Sequence, residues 1–185
     1  MFKRLLERIG REFRKAAIPY MVIGGQAVLL YGEPRLTKDI DITVGIGVRE
    51  LNRLKSVLPA IGLDVLVKDE VSFVEKTMVL PTLEQRSGIR VDLIFSFSPY
   101  ELGAIQRARS IRLGRSEVKF ASPEDVIIHK AIAGRPRDLE DVKSILLKNP
   151  GVDSAYIRKW LDEFDRSLGG TYRDQFEQIC KASMS

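Results

Sequence analysis

Residues 20–44, YMVIGGQAVLLYGEPRLTKDIDITV, decide how this chain is read. The pattern is strand, glycine turn, short helix, loop, and a second strand that opens with Asp39-Ile40-Asp41-Ile42. Side chains alternate faces along a strand, so Asp39 and Asp41 share one side while Ile40 and Ile42 pack behind them. Two strand rises separate the acidic Cα atoms by about 6.6 Å. Like charges at that separation repel by about 0.6 kcal/mol in water, and by about 2.5 kcal/mol at an effective dielectric near 20. Serine or threonine would avoid this cost. The pair reads either as a seat for a cation between its members or as a surface acidic pair on an edge strand, and the flanking Ile40, Ile42 and Val44 favour the cation.

Upstream, the turn at Gly24-Gly25 joins a strand to a helix. Such a turn exposes backbone N–H groups at the positive end of the helix dipole, and the missing Cβ lets a phosphate approach. Glycines in turns serve geometry as often as ligands, so this feature has force only beside the acidic strand. Together they point to chemistry on a metal-bound polyphosphate, phosphoryl or nucleotidyl transfer. A third acid, Asp92, interrupts the apolar run Ile89-Arg90-Val91-Asp92-Leu93-Ile94-Phe95. A carboxylate buried there needs a partner, either a base such as Arg90 or a metal ion. If strands 39–44 and 89–95 are neighbours, Asp92 joins Asp39 and Asp41. Three carboxylates without His or Cys suit Mg2+ or Mn2+ rather than zinc.

The flanks complete the organisation. Phe2, Leu5, Leu6, Ile9, Phe13 and Ala16 fall at helical spacing. Helical patterns follow at 49–61 and after Asp69, with strands over 63–67, 78–83 and 89–95, the last two across Ser87-Gly88. Ser98-Pro99 starts a helix, and 111–113 with 118–120 form a hairpin or successive edge strands. From Ser122-Pro123-Glu124-Asp125, a hydroxyl cap followed by proline and acid, the chain reads as helices only. The expected boundary is near Ala121, giving parts 1–120 and 121–185.

The bulk numbers fit a globular protein: 185 residues, 44% hydrophobic, 30% charged. With 30 basic against 25 acidic residues the net charge is +5, compatible with an anionic partner without establishing one. Cys180, the single cysteine, excludes an internal disulfide and suits a reducing compartment. The charged N-terminus is neither signal peptide nor membrane span, so the expected location is cytoplasmic, with no membrane partner.

Gly24-Gly25, then Arg35-x-Thr37-x-Asp39-x-Asp41, then Val91-Asp92-Leu93 resembles the nucleotidyltransferase superfamily. The closer similarity is to its small stand-alone members, including the abortive-infection (AbiEii-like) toxins. The segment from Ser122 through Lys130-Ala131 to Arg137-Asp138-x-x-Asp141 is similar to that group's helical motif. The resemblance implies an α/β (α+β) fold, a mixed β-sheet flanked by helices, followed by a C-terminal helical segment packed on the catalytic core. It implies Asp39, Asp41 and Asp92 as ligands of two Mg2+ or Mn2+ ions. A nucleoside triphosphate would be held by Gly24, Gly25, Gln26, Arg35, Thr37 and Lys130. Many relatives carry serine after the first glycine; here Gly25 and Gln26 remove one hydroxyl contact to phosphate.

Several residues keep two readings. Lys130 either meets phosphate or snorkels to water beside an apolar strip. Asp138 and Asp141 start the next helix or anchor Lys130 and Arg137, the structural role being the one expected. Arg35 reaches the nucleotide from its loop or is an ordinary surface arginine. His129 reads as a surface residue. Arg107, Arg109, Arg112, Arg115 and Lys119 track an RNA backbone or form a solvated edge. The acceptor is an RNA 3′ end such as tRNA, a protein hydroxyl or a small aminoglycoside-like molecule. A toxin role requires a cognate antitoxin. The rival readings are a non-catalytic binding module of the same fold and a metal-dependent phosphoesterase.

Overall fold

The computed structural model describes residues 1–96 and 98–184. The chain forms two compact units, residues 1–26 with 37–121, and residues 27–36 with 122 onward.

The first unit opens with α1 (Phe2–Lys15), which buries Leu5, Leu6, Ile9 and Phe13 at helical spacing. Its strands are β1 (Tyr20–Ile23), β2 (Asp39–Val44), β3 (Leu63–Val65), β4 (Val79–Glu84), β5 (Ile89–Phe95), β6 (Arg109–Leu113) and β7 (Ser116–Phe120). They make one sheet in the order β3-β4-β5-β2-β1-β7-β6. The β2–β5 and β1–β7 pairs are parallel and the remaining pairs antiparallel, so the expected mixed sheet is present.

Between the strands lie α2 (Gly24–Tyr31), α3 (Leu51–Ile61), α4 (Glu70–Thr77) and α5 (Pro99–Arg107). Local chemistry sets their ends. Gly62, at φ +82°, stops α3, Asp69 caps α4, and Ser98 with Glu101 forms a capping box on α5.

Alternation along β2 and β5 separates the two sheet faces. Ile40, Ile42 and Val44 pair in register with Val91, Leu93 and Phe95, and all six are buried. Each such side chain contributes about 1.5–3 kcal/mol. On the same face, a Cβ at Gly10 of α1 would stand 2.8 Å from the Glu117 carbonyl oxygen, which shows how tightly α1 lies on β7. Phe13 meets Tyr20 edge to face at 5.2 Å, and Arg8 pairs with Glu84 at 2.7 Å.

The second unit contains the later turns of α2 with α6 (Pro123–Ala133), α7 (Pro136–Lys148), α8 (Ser154–Leu168) and α9 (Tyr172–Met184). Ser122 caps α6 as its sequence announces, accepting from the Asp125 amide at 3.1 Å. The buried Asp125 accepts from the Tyr156 hydroxyl at 2.9 Å, tying α6 to α8.

Residues 27–36, expected in the catalytic part, belong to this helical unit, and the reason is a polar stripe on α7. Arg137, Asp141, Ser144 and Lys148 recur at helical spacing along one face. Arg137 donates to the Leu36 carbonyl, Asp141 pairs with Arg35, the Ser144 hydroxyl accepts from the Glu33 amide, and Lys148 donates to the Gly32 carbonyl. Asn149, just beyond, donates to the Tyr31 carbonyl at 2.7 Å. The loop is thus held by its backbone groups.

Candidate active site

The other face of the first unit's sheet carries the acids. In parallel register Asp39 faces Arg90, Asp41 faces Asp92, and Thr43 faces Ile94. Partners in register project to the same side, so Asp39, Asp41 and Asp92 share one face. From β1, Ile23 pairs with Asp41, and from β4, Pro81 pairs with Asp92; both extend this face. Asp39 is exposed at the strand's start, whereas Asp41 and Asp92 are half-buried. The Thr37 hydroxyl lies 3.4 Å from Asp39 Oδ1 and 3.3 Å from its carbonyl oxygen.

Where β1 enters α2, Gly24 has φ +62° and its α-carbon backs onto Asp41. A Cβ there would overlap the Asp41 carboxylate. Glycine is needed at this position for its backbone angle and for the space. Gly25 follows in the first turn of the helix. Gln26, the residue that stands among the expected phosphate contacts, is buried, and its Nε2 has no hydrogen-bond partner. A buried amide donor left unsatisfied is costly.

Asp92 has a protein partner already. Arg90 Nε donates to its Oδ1 at 2.8 Å. Asp92, by hydrogen bond and by charge, pushes the Arg90 guanidinium above its ordinary value, with smaller contributions from Asp39 and Asp41. Among the described residues no three His, Cys, Asp or Glu side chains form a metal-holding group. The donor chemistry nonetheless fits a divalent ion: three hard carboxylates on adjacent strands, beside a glycine that leaves a carboxylate room. The Arg90 guanidinium occupies one oxygen of Asp92.

Lys130 and Arg35 lie in the second unit and meet on one carboxylate. Lys130 Nζ pairs with Asp138 Oδ1 and, at 3.1 Å, with Asp141 Oδ2, which also takes Arg35 Nη2 at 2.9 Å. Lys130 therefore does not snorkel: its side chain is only 12% exposed. The anchoring reading of Asp138 and Asp141 holds for Lys130, with Arg35 in the place expected for Arg137. That exchange was hard to foresee, because it depends on a loop folding back over a helix about a hundred residues later in the chain. His129 is half-buried on α6 instead of lying at the surface.

The basic stretch does not form one positive face. Arg112 and Lys119 share a side of the β6–β7 pair, but Glu117 stands opposite Arg112, and Arg109 projects to the other side.

A family model described as "Nucleotidyl transferase AbiEii toxin, Type IV TA system" matches residues 4–179. No curated protein matches the chain. Among solved structures it is similar to the antibiotic-resistance factor ANT(2'')-Ia in solution, at 14% identity and TM-score 0.59, over 98% of this chain and 94% of that one. It is similar also to an antigenic nucleotidyltransferase-like protein from Paracoccidioides brasiliensis, at 17% identity and TM-score 0.58, over 97% and 92%. The lincosamide antibiotic adenylyltransferase LnuA, lincomycin-bound, aligns at 16% identity and TM-score 0.53, over 77% and 94%. At these identities the likeness carries the fold. The family match spans the glycine turn, the acidic strand pair and the helices after Ser122, and on it this chain belongs to the AbiEii family of nucleotidyltransferases.

Proposed function

We propose that the chain transfers a nucleoside monophosphate from a nucleoside triphosphate to an acceptor hydroxyl, on an RNA 3′ end or a protein. In this reading Asp39, Asp41 and Asp92 hold two Mg2+ or Mn2+ ions. The observation that supports it most is the β2–β5 register, which sets Asp41 beside Asp92 with Asp39 on the same face. When bound, divalent ions supply Lewis-acid polarisation of the phosphoryl group and a lowered pKa for the attacking hydroxyl.

The chain's own residues bind and orient. The amides of Gly24 and Gly25 offer donors to phosphate oxygens, and Gln26 is assigned to phosphate on the family motif alone. Thr37 steadies Asp39 through its hydroxyl. Arg35 and Lys130 are assigned to the triphosphate on the family motif alone, as cations that balance the charge of the leaving pyrophosphate. Membership of a toxin family supports a toxin role with a cognate antitoxin.

The test incubates the protein with each α-labelled nucleoside triphosphate and Mg2+, with total tRNA, total protein or tobramycin as acceptor, beside Asp41→Asn. Label on RNA or protein, absent with the variant, is the expected result. Label on the aminoglycoside alone would replace the acceptor class while keeping the reaction. Nucleotide binding without transfer would leave a binding module, and cleavage without incorporation a phosphoesterase.

A further inference from the structure

Arg90 has no task in the nucleotidyl-transfer reading, yet it lies on the acidic face, in the first register pair of β2 and β5. It faces Asp39 in register, two residues before Asp92 on the same side of β5, with Nε 2.8 Å from Asp92 Oδ1. Its side chain is 55% exposed, so packing alone does not dictate arginine here, whereas that of Asp92 is 18% exposed. Three carboxylates on one face repel each other, and a fixed guanidinium offsets that repulsion.

We infer that Arg90 is the resident counter-cation of Asp39, Asp41 and Asp92, and that divalent-ion binding here is an exchange in which its guanidinium leaves Asp92. The inference rests on the metal reading given above and adds a competitor to it. A hard divalent ion and a guanidinium N–H seek the same carboxylate oxygen and repel each other, so one displaces the other. Arginine stays protonated across the accessible pH range, so the exchange releases a side chain and not a proton. The consequence is a site that is electrostatically tolerable without metal and binds metal more weakly than three free carboxylates would. The half-exposed side chain has solvent to swing into.

The test follows Mn2+ binding by loss of the free-ion electron paramagnetic resonance signal, with no turnover involved. Wild type is compared with Arg90→Gln, Arg90→Lys, Asp92→Asn and Asp41→Asn, and each is melted in chelator and in saturating Mn2+. Arg90→Gln is expected to bind Mn2+ about tenfold tighter than wild type. It should also melt below wild type in chelator and level with it in Mn2+. Arg90→Lys, which keeps the charge and loses the planar fork, should fall between them. It also covers the case in which Arg90→Gln fails to fold.

Affinity in Arg90→Gln equal to or weaker than wild type would overturn the exchange. If affinity is nonetheless lost in Asp41→Asn, the transfer reading survives that failure. Unchanged affinity in Asp92→Asn would overturn the exchange as well, since Asp92 is the carboxylate exchanged. No Mn2+ binding by wild type or by Arg90→Gln would remove the metal reading and the exchange together.

Discussion

Gly24 and Asp41 approach so closely that a methyl group on the glycine would fall inside the carboxylate, with the Asp41 Cγ only 2.9 Å from the added carbon. The backbone at Gly24, at φ +62°, places it where β1 turns into α2, and Asp41 lies across the β1–β2 pair beside Ile23. One backbone conformation thus fixes both the start of the helix and the seat of an acid.

Gly24→Ala is therefore expected to lose about 1–2 kcal/mol from the left-handed backbone alone. It should also move the Asp41 carboxylate, lowering transfer by about tenfold or more. Urea melts and labelled-nucleotide transfer measure the two effects. Gly47→Ala is the control, since a Cβ at Gly47 meets nothing within 4 Å and its φ is −86°; it should change neither.

Asp41→Asn and Asp92→Asn should each reduce transfer by about a hundredfold or more, because a neutral amide is a poor ligand for a hard cation. Stability should hold within about 1 kcal/mol for both, since the Arg90–Asp92 pair is half-exposed and such pairs contribute little. A collapsed melting temperature in either variant would assign these acids to the fold instead of the chemistry.

The cluster in the second unit behaves in the opposite way. Asp141 is buried, its side chain 6% exposed, and it serves both Lys130 and Arg35. Asp141→Ala leaves two largely buried cations short of an anion and should cost about 3 kcal/mol in a denaturant titration. Glu50→Ala, which breaks the exposed pair with Arg53, should cost under about 1 kcal/mol. Equal losses would show that the buried network contributes no more than a surface pair.

Acid tests the contact between α1 and the sheet. The Glu84 carboxyl is held below the usual carboxylate range by the Ser87 hydroxyl first, then by Arg8 and the Ser87 amide, against an opposing effect of burial. Because the folded value lies below the unfolded one, its contribution is present above the unfolded pKa, about 4.3 for glutamate, and is lost as pH falls through the folded value. Wild type should exceed Glu84→Gln in melting temperature at pH 7, and the gap should close on descending through that window. A gap constant to pH 3 would contradict the assignment.

How much of this was legible follows from the range of each interaction. Period-two alternation in 39–44, and a single acid interrupting the apolar run 89–95, exposed the two acidic strands, because each signal needs only the strand's own residues. The pair Arg90 and Asp92, two apart on one strand, was visible as one of two outcomes for that acid. Caps at Ser98 and Ser122 were readable for the same local reason. The placement of 27–36 with the helices was not, because it arises from carbonyls and amides of a loop meeting side chains on α7, and backbone groups leave no trace in composition. The face on which each cation of 107–119 falls depended on hairpin register, which a one-residue slip inverts.

The parallel register of β2 and β5 carries a temporal consequence. Asp41 and Asp92 sit about fifty residues apart in the chain and become neighbours only when a long crossover closes, a slow, entropy-limited event. A nascent polypeptide that has not yet released residues 89–95 from the ribosome holds an acidic strand with no companion. On the roles proposed for Asp41 and Asp92, nucleotidyl transfer must await the pairing of β2 with β5.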